Sequence, residues 1–140
     1  MPEQTSTAAA ELRAAAQKLR DLAERAAHED RTDWIVGHTK GSRSPVVLDH
    51  VEEPSVLIET YAARLEAVNR YVAAMGPRVG VLLAAWLESE AARHEACATA
   101  AKEIWVIADH PDAAAWMATG PGAVKPEALA VARAIGGEPR

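Results

Sequence analysis

Alanine is missing from His28 to Thr60, although it supplies 32 of the 140 residues. That gap divides the chain into stretches with different folding preferences. Alanine has the best intrinsic helix propensity, so residues 7–27 and the stretch after Thr60 lean toward helix. Inside the gap, β-branched residues arrive in short bursts, Trp34-Ile35-Val36, Val46-Val47-Leu48 and Val56-Leu57-Ile58, each the centre of a short strand. The links between them are a hairpin loop at Lys40–Pro45 and an acidic turn from Asp49 to Ser55, short enough for an antiparallel meander over residues 32–60. An N-terminal helix, a three-stranded antiparallel meander and a mostly helical C-terminal half make an α+β fold, with helices covering one face of the sheet. A chain of this length fits a single domain over 1–140 that buries its own core.

The helices can be placed from their apolar periods. Thr7 is an N-cap for a first helix over 7–27, on which Leu12, Leu19 and Leu22 share a face with Ala8, Ala15 and Ala26. Tyr61, Leu65, Val68, Val72 and Met75 recur at steps of four and three and draw one stripe along a helix over 60–75. Gly76-Pro77 stops that helix and starts another. The next one, over 77–108, carries Val79, Leu82, Leu83, Trp86 and Leu87 on a broad face, becomes polar, and regains bulk at Ile104, Trp105, Val106 and Ile107. Uninterrupted, it is about 48 Å long at 1.5 Å per residue, so it either breaks or finds a partner helix. Asp109 or His110 heads a short helix over 111–118, Gly120-Pro121-Gly122 is a loop, and Pro126 opens a last helix over 126–135 from which Lys125 and Arg133 point to water.

The charge of -5 argues against a general nucleic-acid binder, which needs an excess of lysine and arginine. Cys97 is the single cysteine, so no intrachain disulfide forms. No apolar run reaches the roughly 20 residues of a membrane span, and the N-terminal residues lack the apolar core of a secretory signal. A soluble, cytoplasmic protein without membrane contact is expected.

Chemistry-bearing residues are sparse. His94 and Cys97, three apart on one helix face, have the spacing of two metal ligands, with Glu90, His110 or a second chain as the source of a third. The alternative is an exposed histidine beside a small thiol that packs as a hydrophobe. His28, His38 and His50 fall in loops or at element ends with no positioned nucleophile or carboxylate. The hairpin loop from His38 to Ser44 holds Lys40 and Arg43 but lacks the glycine and lysine pattern of a P-loop. Glu52-Glu53, Glu29-Asp30 and the pair Glu88 and Glu90 read as surface charges. No catalytic residue and no cofactor is assigned, and an enzyme is disfavoured. Trp105 and Trp116 are candidates for anchors of a protein contact, against a core role in a chain without phenylalanine.

The segments RLEAVNRYVAAMGPRVGVLLAAWLESEAARHE and PEALAVARAIGG, with the opening AAELRAAAQKLRDLAERA, resemble small alanine-rich actinobacterial and actinophage proteins of the prophage accessory type. The likeness spans about Ala8 to Gly136 and departs at Arg31-Thr32-Asp33-Trp34, where relatives carry a Gly-Pro-Trp-like turn. It implies origin and fold, and transfers no active residue. The function expected first is therefore that of a non-enzymatic phage-type accessory protein. It would act through contact with an unidentified protein and self-associate, as a dimer, through its long helix. The alternatives are a small-ligand or metal site around His94 and Cys97, and, third, a nucleic-acid-associated regulator.

Overall fold

A computed structural model describes residues 7–41, 43–59, 65–107 and 109–137. Its elements are α1 (Ala8–Ala26), β1 (Ile35–His38), β2 (Pro45–Leu48), β3 (Val56–Glu59), α2 (Leu65–Ala74), α3 (Pro77–Ile104), α4 (Pro111–Ala118) and α5 (Pro126–Gly136). The expected α+β order is the observed one, and the strands form a single antiparallel sheet in the order β1-β2-β3. Thr60, Tyr61, Ser42 and Ala108, to which the expected strand, helix and loop bounds extend, lie outside the described residues, as does the side chain of Leu65. No helix among the described residues is long and apolar enough to cross a membrane. The chain divides into two compact units, one made of Leu19–Leu82 and the other of the chain up to Lys18 and from Leu83 onward.

In the Leu19–Leu82 unit the hairpin pairs Ile35 with Leu48 and Val36 with Val47, while β2 pairs Val46 with Glu59 and Val47 with Ile58, with a bulge before Leu48 meets Val56. Val46 and Val47 at the centre of β2 are fully buried. Helix α2 packs across β2 and β1. A helix about 10 Å wide spans two strands spaced 4.8 Å apart, so α2 covers two of the three and turns only a narrow line of residues inward. That line is Asn69, buried, with Val72 and Ala73 half-buried; Val68, Tyr71 and Met75 are exposed. Of the expected stripe's described side chains only Val72 lies on that line, so the stripe and the inward face overlap at a single residue. Every residue of β3 is exposed, including Val56, Leu57 and Ile58. The acidic turn is tied down by the buried Asp49, whose carboxylate accepts hydrogen bonds from the Ser55 amide at 2.7 Å and from Arg31 at 3.2 Å. The Ser55 amide, and then the Arg31 charge, hold that carboxyl below its ordinary range against the effect of burial. At the start of α3, Gly80 is a close-approach glycine: a Cβ there would lie 3.0 Å from that of Ala23.

The second unit has an alanine core. Leu12 and Leu87 are fully buried together with Ala16, Ala84, Ala91 and Ala128, and Ala9, Ala15, Ala101 and Ala132 nearly so. Thr7 caps α1 as expected, accepting from the Ala10 amide at 3.2 Å. Arg13 of α1 forms an ion pair with Glu95 of α3. Arg133 of α5 is exposed, as expected, and from there reaches Glu11 of α1 at 3.0 Å. Helix α3 is unbroken for 28 residues, about 42 Å.

Candidate interaction site

A buried polar cluster lies on α3. Glu90, read from sequence as a surface charge, is only 4% exposed. Arg93, one helical turn on, donates to it through Nε at 3.0 Å and Nη2 at 2.6 Å. The same guanidinium donates from Nη1 to the Pro121 carbonyl at 2.8 Å and from Nη2 to the Ala123 carbonyl at 2.6 Å. The Lys125 amide donates to Glu90 at 2.9 Å, and His94 donates its Nδ1–H to the Gly122 carbonyl at 2.8 Å. Three side chains of one helix face therefore clamp the loop between α4 and α5. The Arg93 hydrogen bonds, joined by the Lys125 amide, outweigh burial and hold the Glu90 carboxyl at about 2, against an ordinary 4.5.

This geometry places the candidate metal ligands. His94 has committed Nδ1 to a carbonyl, which leaves Nε2 as its remaining ring nitrogen. Cys97 Sγ lies 3.8 Å from the cationic Nη1 of Arg93. Glu90 is saturated by Arg93 and Lys125, and His110 serves α4. Among the described residues, no three His, Cys, Asp or Glu side chains form a group that could hold a metal ion.

The clamped loop supports a second feature. Gly122 donates its amide to the Trp116 carbonyl at 3.0 Å, and a Cβ on Gly122 would sit 2.7 Å from Met117 Sδ and 3.1 Å from the Trp116 ring. Trp116 in turn lies against Trp105, with ring centroids 5.7 Å apart and tilted by 56°. Trp105 also stacks on His110 at 6.3 Å. His110 is fixed because its ring caps α4, Nδ1 accepting from the Asp112 amide at 3.1 Å, with Pro111 in the first turn. Asp109, at φ 64°, takes the left-handed turn that separates α3 from α4. The two tryptophans proposed as anchors are thus brought together and half-buried.

Around them the chain is exposed. Ile104 is 63% exposed, Val106 88% and Ile107 72%; these residues, expected to add bulk near the end of a helix over 77–108, stand in solvent at the α3–α4 corner. The reason is that α3 stops at Ile104, so Val106 and Ile107 lie beyond the last helical turn. A groove of about 280 Å³ opens beside them, lined by Ala98, Trp105, Ile107, His110, Ala113 and Met117, with Lys102 and Asp109 as its charged rim. Such a corner offers apolar area and shape, held in place from behind. Sequence reasoning missed Arg93 altogether; the spacing of Glu90 and Arg93, three apart on a helix, was the available signal.

No protein family, curated protein or solved structure matches the chain.

Proposed function

We propose that this is a non-enzymatic binding protein that acts by contact with another protein at the α3–α4 corner and that also self-associates. The observation that carries the reading is the exposure of Ile104, Val106 and Ile107 beside the Trp105–Trp116 pair. Single exposed aliphatics are ordinary, but three within four positions present of the order of 350 Å² of apolar surface, the size of patch that marks an interaction site. Tryptophan is the residue type most enriched at the energetic centre of protein interfaces. Here its orientation is set in advance by the Glu90–Arg93 clamp, which lowers the ordering cost of binding. The resemblance to actinobacterial and actinophage accessory proteins supports a phage-type role in a bacterial cytoplasm.

The test compares a tagged wild-type chain with the triple variant Ile104→Ser, Val106→Ser, Ile107→Ser, both expressed in an actinobacterial host. A defined protein should accompany the wild type and be lost from the variant while the helical circular dichroism is unchanged. A partner retained equally by both would remove the corner from the account. Light scattering on the purified chain reads self-association, and a strict monomer would remove that part.

A further inference from the structure

Histidine is the side chain whose charge ordinarily changes between about pH 5 and about pH 8. What that change does depends on the group each ring nitrogen meets. His94 Nδ1 meets the Gly122 carbonyl, which can only accept, so Nδ1 carries a hydrogen in the neutral and the charged ring and the bond survives acid. His50 Nδ1 lies 2.9 Å from the Glu52 carbonyl oxygen and 3.0 Å from the Glu52 amide nitrogen, so either state finds a partner. His110 differs from both. Its Nδ1 meets the Asp112 amide at 3.1 Å, and an amide can only donate. Nδ1 is therefore bare, and the ring is neutral with its hydrogen on Nε2. A proton arriving at Nδ1 removes the acceptor, breaks the cap of α4 and sets a positive charge at the positive end of that helix.

We infer that His110 is a pH-sensitive latch of the α3–α4 corner, closed while its ring is neutral and opened when the ring takes a proton. The regulatory consequence rests on the corner being the binding site proposed above; the latch itself does not. The ring is partly exposed, so protons reach it without unfolding. Asp109 and Lys102 of α3 share its groove and act on the proton in opposite senses. Asp112 of α4 has a carboxylate oxygen 3.9 Å from Nδ1, too far for a hydrogen bond, so a charged ring must turn to reach it. Turning disturbs the stack on Trp105, which the neutral ring meets at 6.3 Å and 28°. Ala113 and Ala114, in the first turn of α4, line the groove and lose their anchorage with the cap. Acid thus unsettles two walls of the groove together, Trp105 and the start of α4. Loss of a cap acceptor shifts the balance of a helix end about fivefold, and the affinity of the corner for its protein should fall by about that factor across the titration.

The experiment titrates the isotope-labelled full chain from about pH 8 to about pH 5 and follows it by nuclear magnetic resonance. At the upper end the imidazole signals of His110 should show Nε2 protonated and Nδ1 bare. On acidification the Asp112 amide and the Trp105 indole N–H should move with the midpoint of the His110 ring. The Asp112 amide should also lose about fivefold of its protection against hydrogen exchange, measured relative to the free-peptide rate at each pH. His110→Asn keeps an acceptor at the cap but gains no proton, and should abolish both movements. That comparison also separates His110 from His94, whose titration reaches Trp116 through Gly122. If the variant does not fold, the tautomer and the Asp112 response of the wild type still decide. A hydrogen on Nδ1 at the upper end, or an Asp112 amide that stays in place while the ring titrates, would overturn the latch. Neither readout needs a partner, so a partner retained by the serine triple variant would remove the corner as a binding site and leave the latch standing.

Discussion

Among the described residues of the alanine-rich unit the fully buried positions are Leu12, Leu87 and a set of alanines, and the buried acid Glu90 is matched by a cation and an amide. In the Leu19–Leu82 unit the buried set includes Asp49 and Asn69, while Val51, Val56, Tyr71, Met75 and Leu82 are exposed. The first unit packs its alanine core tightly and leaves Ile104, Val106 and Ile107 exposed together at the α3–α4 corner. The second holds apolar surface in reserve on β3, on α2 and at the start of α3. That difference teaches where to look for association: apolar side chains left outside a sheet that already has a packed centre at Val46 and Val47 are available to another surface.

Substitution in the two cores should break this contrast most sharply. Leu12→Ala should destabilise by about 3 kcal/mol in urea unfolding, as a fully enclosed leucine with little room to collapse. Leu57→Ala on the open strand should cost less than about 1 kcal/mol in dilute solution. Equal losses would show that β3 is as well enclosed as α1. Glu90→Ala comes next in size, at about 3 kcal/mol or slightly less, because it strands the Arg93 charge and the Lys125 amide. Its counterpart, Glu59→Ala, should change stability by under about 0.5 kcal/mol.

Acid sharpens the same comparison. A carboxyl held down in the folded chain binds its proton less readily there than in the unfolded chain. The stability it provides is complete above the unfolded value and is lost as pH falls toward the folded one. For Glu90 that window runs from 4.5 down to about 2. Wild-type stability should fall across it, and Glu90→Gln, already weaker at neutral pH, should fall less. Parallel curves for the two proteins would remove the clamp as the acid-sensitive element.

Smaller effects follow from packing and from metal. Gly122→Ala forces a methyl against Met117 and Trp116 and should cost about 1–2 kcal/mol, with a change in tryptophan fluorescence as the Trp105–Trp116 pair shifts. Removal of divalent metal by chelator should leave the melting temperature where it was, since His94 is engaged with Gly122. A loss of several degrees, restored by zinc, would instead make His94 and Cys97 ligands.

Much of the fold was legible because it rests on local rules. Thr7, Gly76-Pro77, His110-Pro111 and Pro126 mark helix starts through caps and fixed φ, and the alanine gap marks the sheet. The stripe on α2 shows the limit of such reading. Periodicity reports that Val68, Val72 and Met75 share a side, but which side faces the sheet depends on how far one helix reaches across three strands. The clamp was illegible for another reason. Arg93 satisfies the backbone carbonyls of Pro121 and Ala123, and no side chain at those positions announces an acceptor. The exposed corner was hidden by the same letters that suggested a core, since Ile104 to Ile107 are apolar whether or not a helix continues beneath them.

The alanine core has one consequence for how the chain finds its native arrangement. Alanine has no rotamers to lose, so packing helices through it is entropically inexpensive on the side-chain side. A methyl surface is also smooth, and one helix can slide a turn along another with little change in contact energy. Shape alone therefore distinguishes poorly between neighbouring alignments. The Glu90–Arg93 pair, which meets its loop acceptors in only one alignment, works like the pin of a sliding bolt, and its charge serves uniqueness as much as strength.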